Sequence, residues 1–335
     1  MSLKISFVIP TLNVEPIIED CLMSIRKQDY PEEDIDIIMV DGGSIDKTGE
    51  VSKKFNVNFL KEPIFKDNQE ARKMIGTLKS KGDLLCFMDS DNVLPNSGWL
   101  NRMVQPFKEN PNLVASQPYK YKYIKELTIM NRYFALFGVN DPVAFYLNKR
   151  DRFTCYEKDW HLLGESEDKG NYYLVEFKDS EIPTIGANGF CIRRNAIVNL
   201  GVSPENFYHI DVNCDLIEKG FNHYAFVKTD IIHNTSARVL AFLLKRLKYM
   251  DYYYVKNYTN RRYKLFDIKK DKFKLLIYIV YSLTFIKPLI DSFRGFLVIH
   301  DNAWFLHPFL CFCITFVYAW AIIKNIFKRI IYGKN

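Results

Sequence analysis

Two aspartates separated by one residue, Asp89-Ser90-Asp91, close the apolar run Leu84-Leu85-Cys86-Phe87-Met88. Carboxylates at i and i+2, on a strand just leaving a sheet, can reach one divalent cation. Mg2+ and Mn2+ take oxygen ligands and are commonly shared with substrate phosphates. A diphosphate leaving group needs that neutralisation as its bond breaks. A capped turn has the same sequence, so the element gains meaning from its neighbours. Two other apolar runs end in polar sets, Pro10-Thr11-Leu12-Asn13 and Asp41-Gly42-Gly43-Ser44-Ile45-Asp46-Lys47-Thr48. Neither GxGxxG nor GxxxxGK[ST] follows the first run, which speaks against a dinucleotide oxidoreductase or a P-loop NTPase.

The elements that must position these residues alternate strand and helix. Strands are expected at Leu3–Pro10, Asp34–Asp41, Val57–Glu62, Asp83–Asp89 and Leu113–Tyr119, from short apolar runs bounded by turn residues. Helical spacing falls between them at Glu15–Lys27, Lys47–Phe55, Asn68–Ser80 and Trp99–Glu109. The pattern predicts an α/β fold with a mostly parallel sheet and helices on both faces. In such sheets ligands bind beyond the carboxyl ends of the strands, where the polar sets fall.

Ile9-Pro10-Thr11-Leu12-Asn13, Asp41 to Thr48, Ala71-Arg72 with Gly76, and Gly82-Asp83 through Asp89-Ser90-Asp91 resemble, in order and spacing, the motifs of family 2 glycosyltransferases. The resemblance covers about residues 1–235. It implies a GT-A fold, a nucleotide-diphospho-sugar donor (UDP- or GDP-sugar), Mn2+ or Mg2+, and an inverting mechanism. It further implies a nucleotide-binding set of Pro10, Thr11, Asn13, Glu15, Asp41, Gly43, Ser44, Arg72, Asp89 and Ser90, with Asp41 accepting from the base. Asp89, Asp91 and a distal His233 are the implied metal ligands. The chain departs from the family pattern at Gly42, where a second aspartate is common, and at Glu15, one position late.

Farther along, Gly186-Ala187-Asn188-Gly189 resembles the family's small-residue loop on the acceptor side. Its glycines permit close backbone approach to a sugar, and its asparagine offers both a donor and an acceptor; a tight turn between strand and helix has the same composition. His209-Ile210-Asp211 opens a helix through Gly220; His209 joins the glycine loop in the expected acceptor or sugar set, and Asp211 resembles the family's catalytic base, with Ile210 where the family has Glu. Asp211 is equally suited to cap that helix. Were the acceptor already a phosphate anion, Asp211 would orient it rather than deprotonate it. Lys228 is a candidate neighbour of the diphosphate. The stretch from Tyr121 to Glu181 carries no readable motif and is assigned to shaping the acceptor site.

The chain has 335 residues, 48% hydrophobic and 25% charged, which fits a globular protein rather than a disordered or polytopic one. Its seven cysteines form no CxxC pair, and several sit in apolar runs, as reduced thiols do. Met1-Ser2-Leu3-Lys4 leads straight into the first strand, so catalysis is expected to face the cytoplasm. The net charge of +7 is uneven: residues 238–272 carry eleven Lys/Arg against three Asp, and residues 273–335 seven against two. Residues 1–237 are therefore acidic.

From Asn302 to Ile323 there are 22 residues without Asp, Glu, Lys or Arg, long enough to cross about 30 Å of hydrocarbon as a helix. Leu275 to Ile286 adds a shorter apolar stretch. Lys269, Lys270, Lys272 and Lys274 precede the pair and Lys324, Lys328 and Arg329 follow it, so a helical hairpin would keep both clusters cytoplasmic. Ser236 to Asn257 has helical apolar spacing beside Lys245, Arg246 and Lys248, fitting an in-plane helix on anionic lipid or a surface helix of the body.

The expected organisation is a catalytic domain at 1–235, a basic amphipathic linker at 236–272 and a membrane-associated or transmembrane hairpin at 273–335. The expected function is transfer of a sugar to a glycan or a polyprenyl-phosphate-linked acceptor at the cytoplasmic membrane face, without nucleic acid. The alternative is a nucleotide-sugar-binding protein at the membrane that has lost catalysis.

Overall fold

The first four strands, β1 (Ile5–Thr11), β2 (Ile35–Asp41), β3 (Asn58–Lys61) and β4 (Leu84–Phe87), lie parallel in the order β3-β2-β1-β4. Every residue of β1 and β4 is buried, the signature of a parallel sheet covered on both faces. The computed structural model describes residues 2–179, 181–235, 238–252, 260–267 and 270–332, with side chains up to 327. The crossovers contain α1 (Glu15–Arg26), α2 (Thr48–Lys53) and α3 (Gln69–Lys79). Register pairs Thr11 with Asp41, so the first two polar sets leave the sheet side by side.

After β4 come β5 (Asn92–Val93), α4 (Trp99–Glu109) and β6 (Ala115–Tyr121). The chain leaves the sheet for α5 (Ile129–Phe137) and α6 (Pro142–Tyr146), and returns with β7 (Glu165–Asp168), β8 (Tyr172–Glu176) and β9 (Phe190–Arg193). Then α7 (Arg194–Val198), α8 (His209–Glu218) and β10 (His223–His233) follow. Strand β9 inserts antiparallel between β4 and β6, and β10 runs parallel to β6. The result is a ten-stranded mixed sheet whose first half is parallel. The tip of β10 also pairs with β5, setting His233 opposite Asn92.

By contacts the chain divides into two units. One is Met1–Lys122 with Asp159–Asn234; the other is Tyr123–Lys158 with Thr235–Asn335. This grouping differs from the expected single body at 1–235, because Tyr123–Lys158 joins the C-terminal helices. The reason is an aromatic cluster within the second unit. His307 is fully buried and stacks on Phe137 at 4.0 Å between ring centres. Its two ring nitrogens lie 3.0 Å from the Tyr133 and Tyr146 hydroxyls.

The remaining helices are α9 (Val239–Tyr249), α10 (Lys272–Thr284), α11 (Ile286–Val298) and α12 (Leu306–Tyr332). The first arm of the expected hairpin is thus two helices, bent by 77° at Phe285, whose φ is +61°. Residues 302–327 form one helix long and apolar enough to cross a membrane. Phe273, Leu276, Phe293, Leu297, Phe316 and Trp320 are exposed on these helices. On α9, Phe242 is buried while Leu240 and Leu244 face outward. Ser236, 253–257 and Lys269, and the side chains of Lys328 and Arg329, lie outside the described residues.

All seven cysteines are free thiols. Packing of α3 on the sheet depends on Gly76: a Cβ there would fall 2.5 Å from Val8 Cγ1 and 3.2 Å from Val40 Cγ2. Gly76→Ala therefore sets a helix-propensity gain of about 1 kcal/mol against overpacking of about 1–3 kcal/mol. The expected outcome is a lower midpoint of thermal unfolding; an unchanged or higher one would contradict this packing.

Candidate active site

The loops after β1 and β2 are zipped together by their own polar atoms. Asp41 is fully buried. Its Oδ1 accepts from the hydroxyls of Thr11 (3.2 Å) and Ser44, and its Oδ2 from the amides of Gly43 (2.9 Å) and Ser44 (2.7 Å). Four donors occupy about the whole acceptor capacity of a carboxylate. In this state Asp41 organises the turn, where the sequence reading had it accepting from a base. Asn13, at φ +52°, donates its amide to Ser44 Oγ (2.7 Å) and accepts the Ile45 amide at its Oδ1 (3.0 Å). Glu15 closes the zip by accepting the Lys47 amide at 3.1 Å. Pro10 lies within buried β1 beside Val40. Gly43 holds φ +93°, which only glycine adopts freely.

Arg72 explains the departure at Gly42. Its Nη1 donates to the carbonyls of Phe65 (2.6 Å) and Lys66 (2.7 Å), which puts the guanidinium over the Asp41–Ser44 turn. A Cβ on Gly42 would lie 2.5 Å from Nη1. A second aspartate there and this arginine position exclude one another. Burial lowers the Arg72 pKa, against the opposing pull of Asp41 and Asp67. Its Nε is buried without a hydrogen-bond partner.

The Asp89-Ser90-Asp91 element is half-buried at the end of β4. The two carboxylates have different surroundings. Asp89 Oδ1 accepts from Gln69 Nε2 at 2.8 Å and pairs with Lys73 Nζ at 3.3 Å. Asp91 Oδ2 lies 3.3 Å from His233 Nε2, and the Asn234 amide donates to the Asp91 carbonyl at 2.8 Å. The β5–β10 pairing thus brings the distal histidine to the second aspartate. Ligand bonds of about 2.0–2.2 Å place neighbouring ligand atoms roughly 3 Å apart, so Asp91 and His233 fit one small cation. Among the described residues no group of three or more His, Cys, Asp or Glu is placed to hold a metal. Two protein ligands completed by substrate phosphates and water is the usual manner of Mg2+.

The glycine loop docks beneath this element. Asn188 Oδ1 accepts from Asn92 Nδ2 at 3.1 Å, its Nδ2 donates to Tyr121 Oη at 3.0 Å, and Tyr121 stacks on His233. The Gly189 amide donates to the Phe87 carbonyl at 2.9 Å. Ala187, between Gly186 and Asn188, is half-buried. Gly186, at φ +118°, faces the start of α8: a Cβ there would fall 2.9 Å from His209 Cδ2.

At that helix start the structure separates two candidates. Asp211 is fully buried, whereas the His209 side chain is 20% exposed. Lys228, the candidate diphosphate neighbour, is instead taken by Asp168 at 2.7 Å and lies over the Tyr173 ring.

Three residues absent from the sequence reading tie the halves together. Glu70 Oε2 accepts the His209 amide and lies 2.8 Å from His209 Nδ1, while Glu70 Oε1 is 3.5 Å from Lys73 Nζ, which also meets Asp89. Gln69 adds a second contact to Asp89. Burial alone would raise the Glu70 pKa, but His209 and Lys73 overcome it and hold the carboxyl well below its ordinary range. The available signal was the run Gln69-Glu70-Ala71-Arg72-Lys73, whose charged side chains occupy the buried side of a helix.

The family model described as "Glycosyl transferase family 2" matches residues 6–169. Glycosyltransferase AglE of Haloferax volcanii is 33% identical over 104 residues, 30% of this chain and 34% of that protein. A dolichyl N-acetyl-alpha-D-glucosaminyl phosphate 3-beta-D-2,3-diacetamido-2,3-dideoxy-beta-D-glucuronosyltransferase of Methanococcus voltae is 32% identical over 118 residues, 32% of this chain and 36% of that protein. The matched segment thus spans about a third of these relatives' length. The mannosyltransferase PcManGT of Pyrobaculum calidifontis, solved with GDP-Man and Mn2+, superposes with a TM-score of 0.55 at 12% identity, over 98% of this chain and 88% of that one. The likeness to that structure confirms a GT-A-type fold, and through its segment 6–169 the chain belongs to glycosyl transferase family 2.

Proposed function

We propose that the chain is an inverting glycosyltransferase that uses a UDP- or GDP-sugar with Mn2+ or Mg2+ and delivers the sugar to a lipid-linked or glycan acceptor at a membrane. The observation that carries this reading is the placement of Asp91 against His233, at the end of the strand beside the zipped β1 and β2 loops. Family membership supports the reaction class. The GDP-Man and Mn2+ bound by PcManGT, and the dolichyl phosphate in the name of the Methanococcus relative, support the donor, metal and acceptor classes.

The bound cation supplies charge neutralisation at the diphosphate; the chain's own residues do the rest. Thr11, Asn13 and Ser44 hold the nucleoside side in place through the loop zip. Asp91 and His233 would hold the cation. Asp89, neutralised by Lys73, faces the donor without the full repulsion of a bare carboxylate. Gly186 and Gly189 let the backbone approach the transferred sugar. Catalysis then rests on placement and on charge arranged before the substrate arrives.

The complete burial of Asp211 favours a second reading, a nucleotide-sugar-binding protein without turnover. One assay separates the two. Incubated with Mn2+ and a panel of UDP- and GDP-sugars, the wild-type protein is expected to release nucleoside diphosphate, and Asp91→Ala to lose that release by about 100-fold or more, as for removal of a main electrostatic contributor. Binding of UDP or GDP with no turnover of any donor would favour the second reading.

The exposed apolar faces of α10, α11 and α12, with Lys272, Lys274 and Lys324 beside them, support membrane attachment. The protein is expected to stay in the membrane pellet after washes in high salt and in alkaline carbonate. Release by salt alone would contradict insertion.

A further inference from the structure

We propose that His209, oriented by the buried carboxylate of Glu70, is the base that takes the proton from an acceptor hydroxyl. This rests on the transferase reading above and names the group that performs its proton step. A base must touch the acceptor. Asp211 has no exposed surface, so no acceptor atom reaches it in this state. Two residues earlier, on the first turn of the same ten-residue helix, His209 opens to solvent.

The imidazole is held from two sides. Glu70 Oε2 meets both the His209 amide and Nδ1, each at 2.8 Å, so one carboxylate oxygen fixes the helix start and the ring together. With Nδ1 carrying its hydrogen toward Glu70, the neutral ring keeps its lone pair on Nε2. Nε2 has no hydrogen-bond partner among the described residues. On the other side the ring edge rests on Gly186, in the loop whose glycines open it to a sugar. A carboxylate behind an imidazole holds its tautomer and stabilises the imidazolium once the proton arrives. Glu70 stays ionised in that position for the reasons given above.

The same side chains tie the dyad to the donor half. Lys73 Nζ stands between Glu70 Oε1 and Asp89 Oδ1, so two ion pairs on α3 connect His209 to the strand end bearing Asp89 and Asp91. Among the described residues the charged group in contact with His209 is Glu70 from α3, itself paired with Lys73; the loop contributes the uncharged Gly186.

The step balances. The acceptor O–H proton passes to His209 Nε2, and the freed oxygen pair forms the bond to the anomeric carbon opposite the leaving group. The bond from that carbon to the diphosphate oxygen breaks, and its electron pair departs on the nucleoside diphosphate. Glu70 is a positioning residue: it acts through His209.

The test uses the full chain with Mn2+ and UDP-glucose, UDP-N-acetylglucosamine and GDP-mannose, with water as the acceptor, and follows kcat and donor KM. His209→Gln is expected to lower kcat by about 100- to 10,000-fold, the usual span for a lost general base, while UDP or GDP still raises its unfolding midpoint. Glu70→Gln is expected to lower kcat less, with the loss in kcat rather than in donor KM, because the ring loses its orientation and keeps its chemistry. Should His209→Gln not fold, that split decides. Wild-type kcat in His209→Gln, with the loss falling on Asp211→Asn instead, would overturn the proposal; so would an unchanged kcat in Glu70→Gln. A wild-type protein that turns over no donor would overturn the transferase reading itself, and the proposal with it.

Discussion

Two carboxylates at one strand end, Asp89 and Asp91, present an electrostatic conflict, and their surroundings relieve each in a different way. Like charges at close range are costly wherever water is excluded. Asp89 is relieved from within, by the buried ammonium of Lys73 and the amide of Gln69. Asp91 meets His233 at one carboxylate oxygen and the side-chain amide of Asn92 at the other. The asymmetry assigns the two aspartates different work. In the proposed reaction Asp89 would stay part of the wall, held by Lys73 and Gln69, and Asp91 would hold the cation together with His233. Everything around them, from the β5–β10 pairing to the Asn188 bridge between Asn92 and Tyr121, keeps Asp91 and His233 within reach of each other.

Most of the first half of the fold is legible in the sequence. Strands buried on both faces read as unbroken apolar runs, and Ile5–Thr11, Ile35–Asp41 and Leu84–Phe87 are of that kind. The hairpin Glu165–Asp168 with Tyr172–Glu176 is not legible, because its first strand is exposed throughout and shows no alternation. Strand Phe190–Arg193 is four residues long, and only its insertion between β4 and β6 makes it a strand.

The site divides in the same way. Thr11, Asn13, Asp41, Ser44, Asp89 and Asp91 announce themselves because they follow apolar runs. Gly42 reads as a lost carboxylate until Arg72 is seen in the space a side chain would need. Glu70 and Lys73 read as ordinary helix charges, since i,i+3 pairs are common on solvated faces; only tertiary packing turns them inward. The grouping of Tyr123–Lys158 with the C-terminal helices is set by contacts of Tyr133, Phe137 and Tyr146 with His307, far apart in sequence and without a local signal.

The central claim is that Asp91 and His233 share a divalent cation with the donor diphosphate. Its most direct measurement is calorimetric titration of UDP and GDP into the wild-type protein with and without Mn2+, repeated with Asp91→Asn and His233→Ala. The account predicts that Mn2+ tightens nucleotide binding in the wild type and that most of this gain disappears in both variants while they remain folded. Equal affinity with and without Mn2+, or a metal-dependent gain that survives in Asp91→Asn, would contradict it.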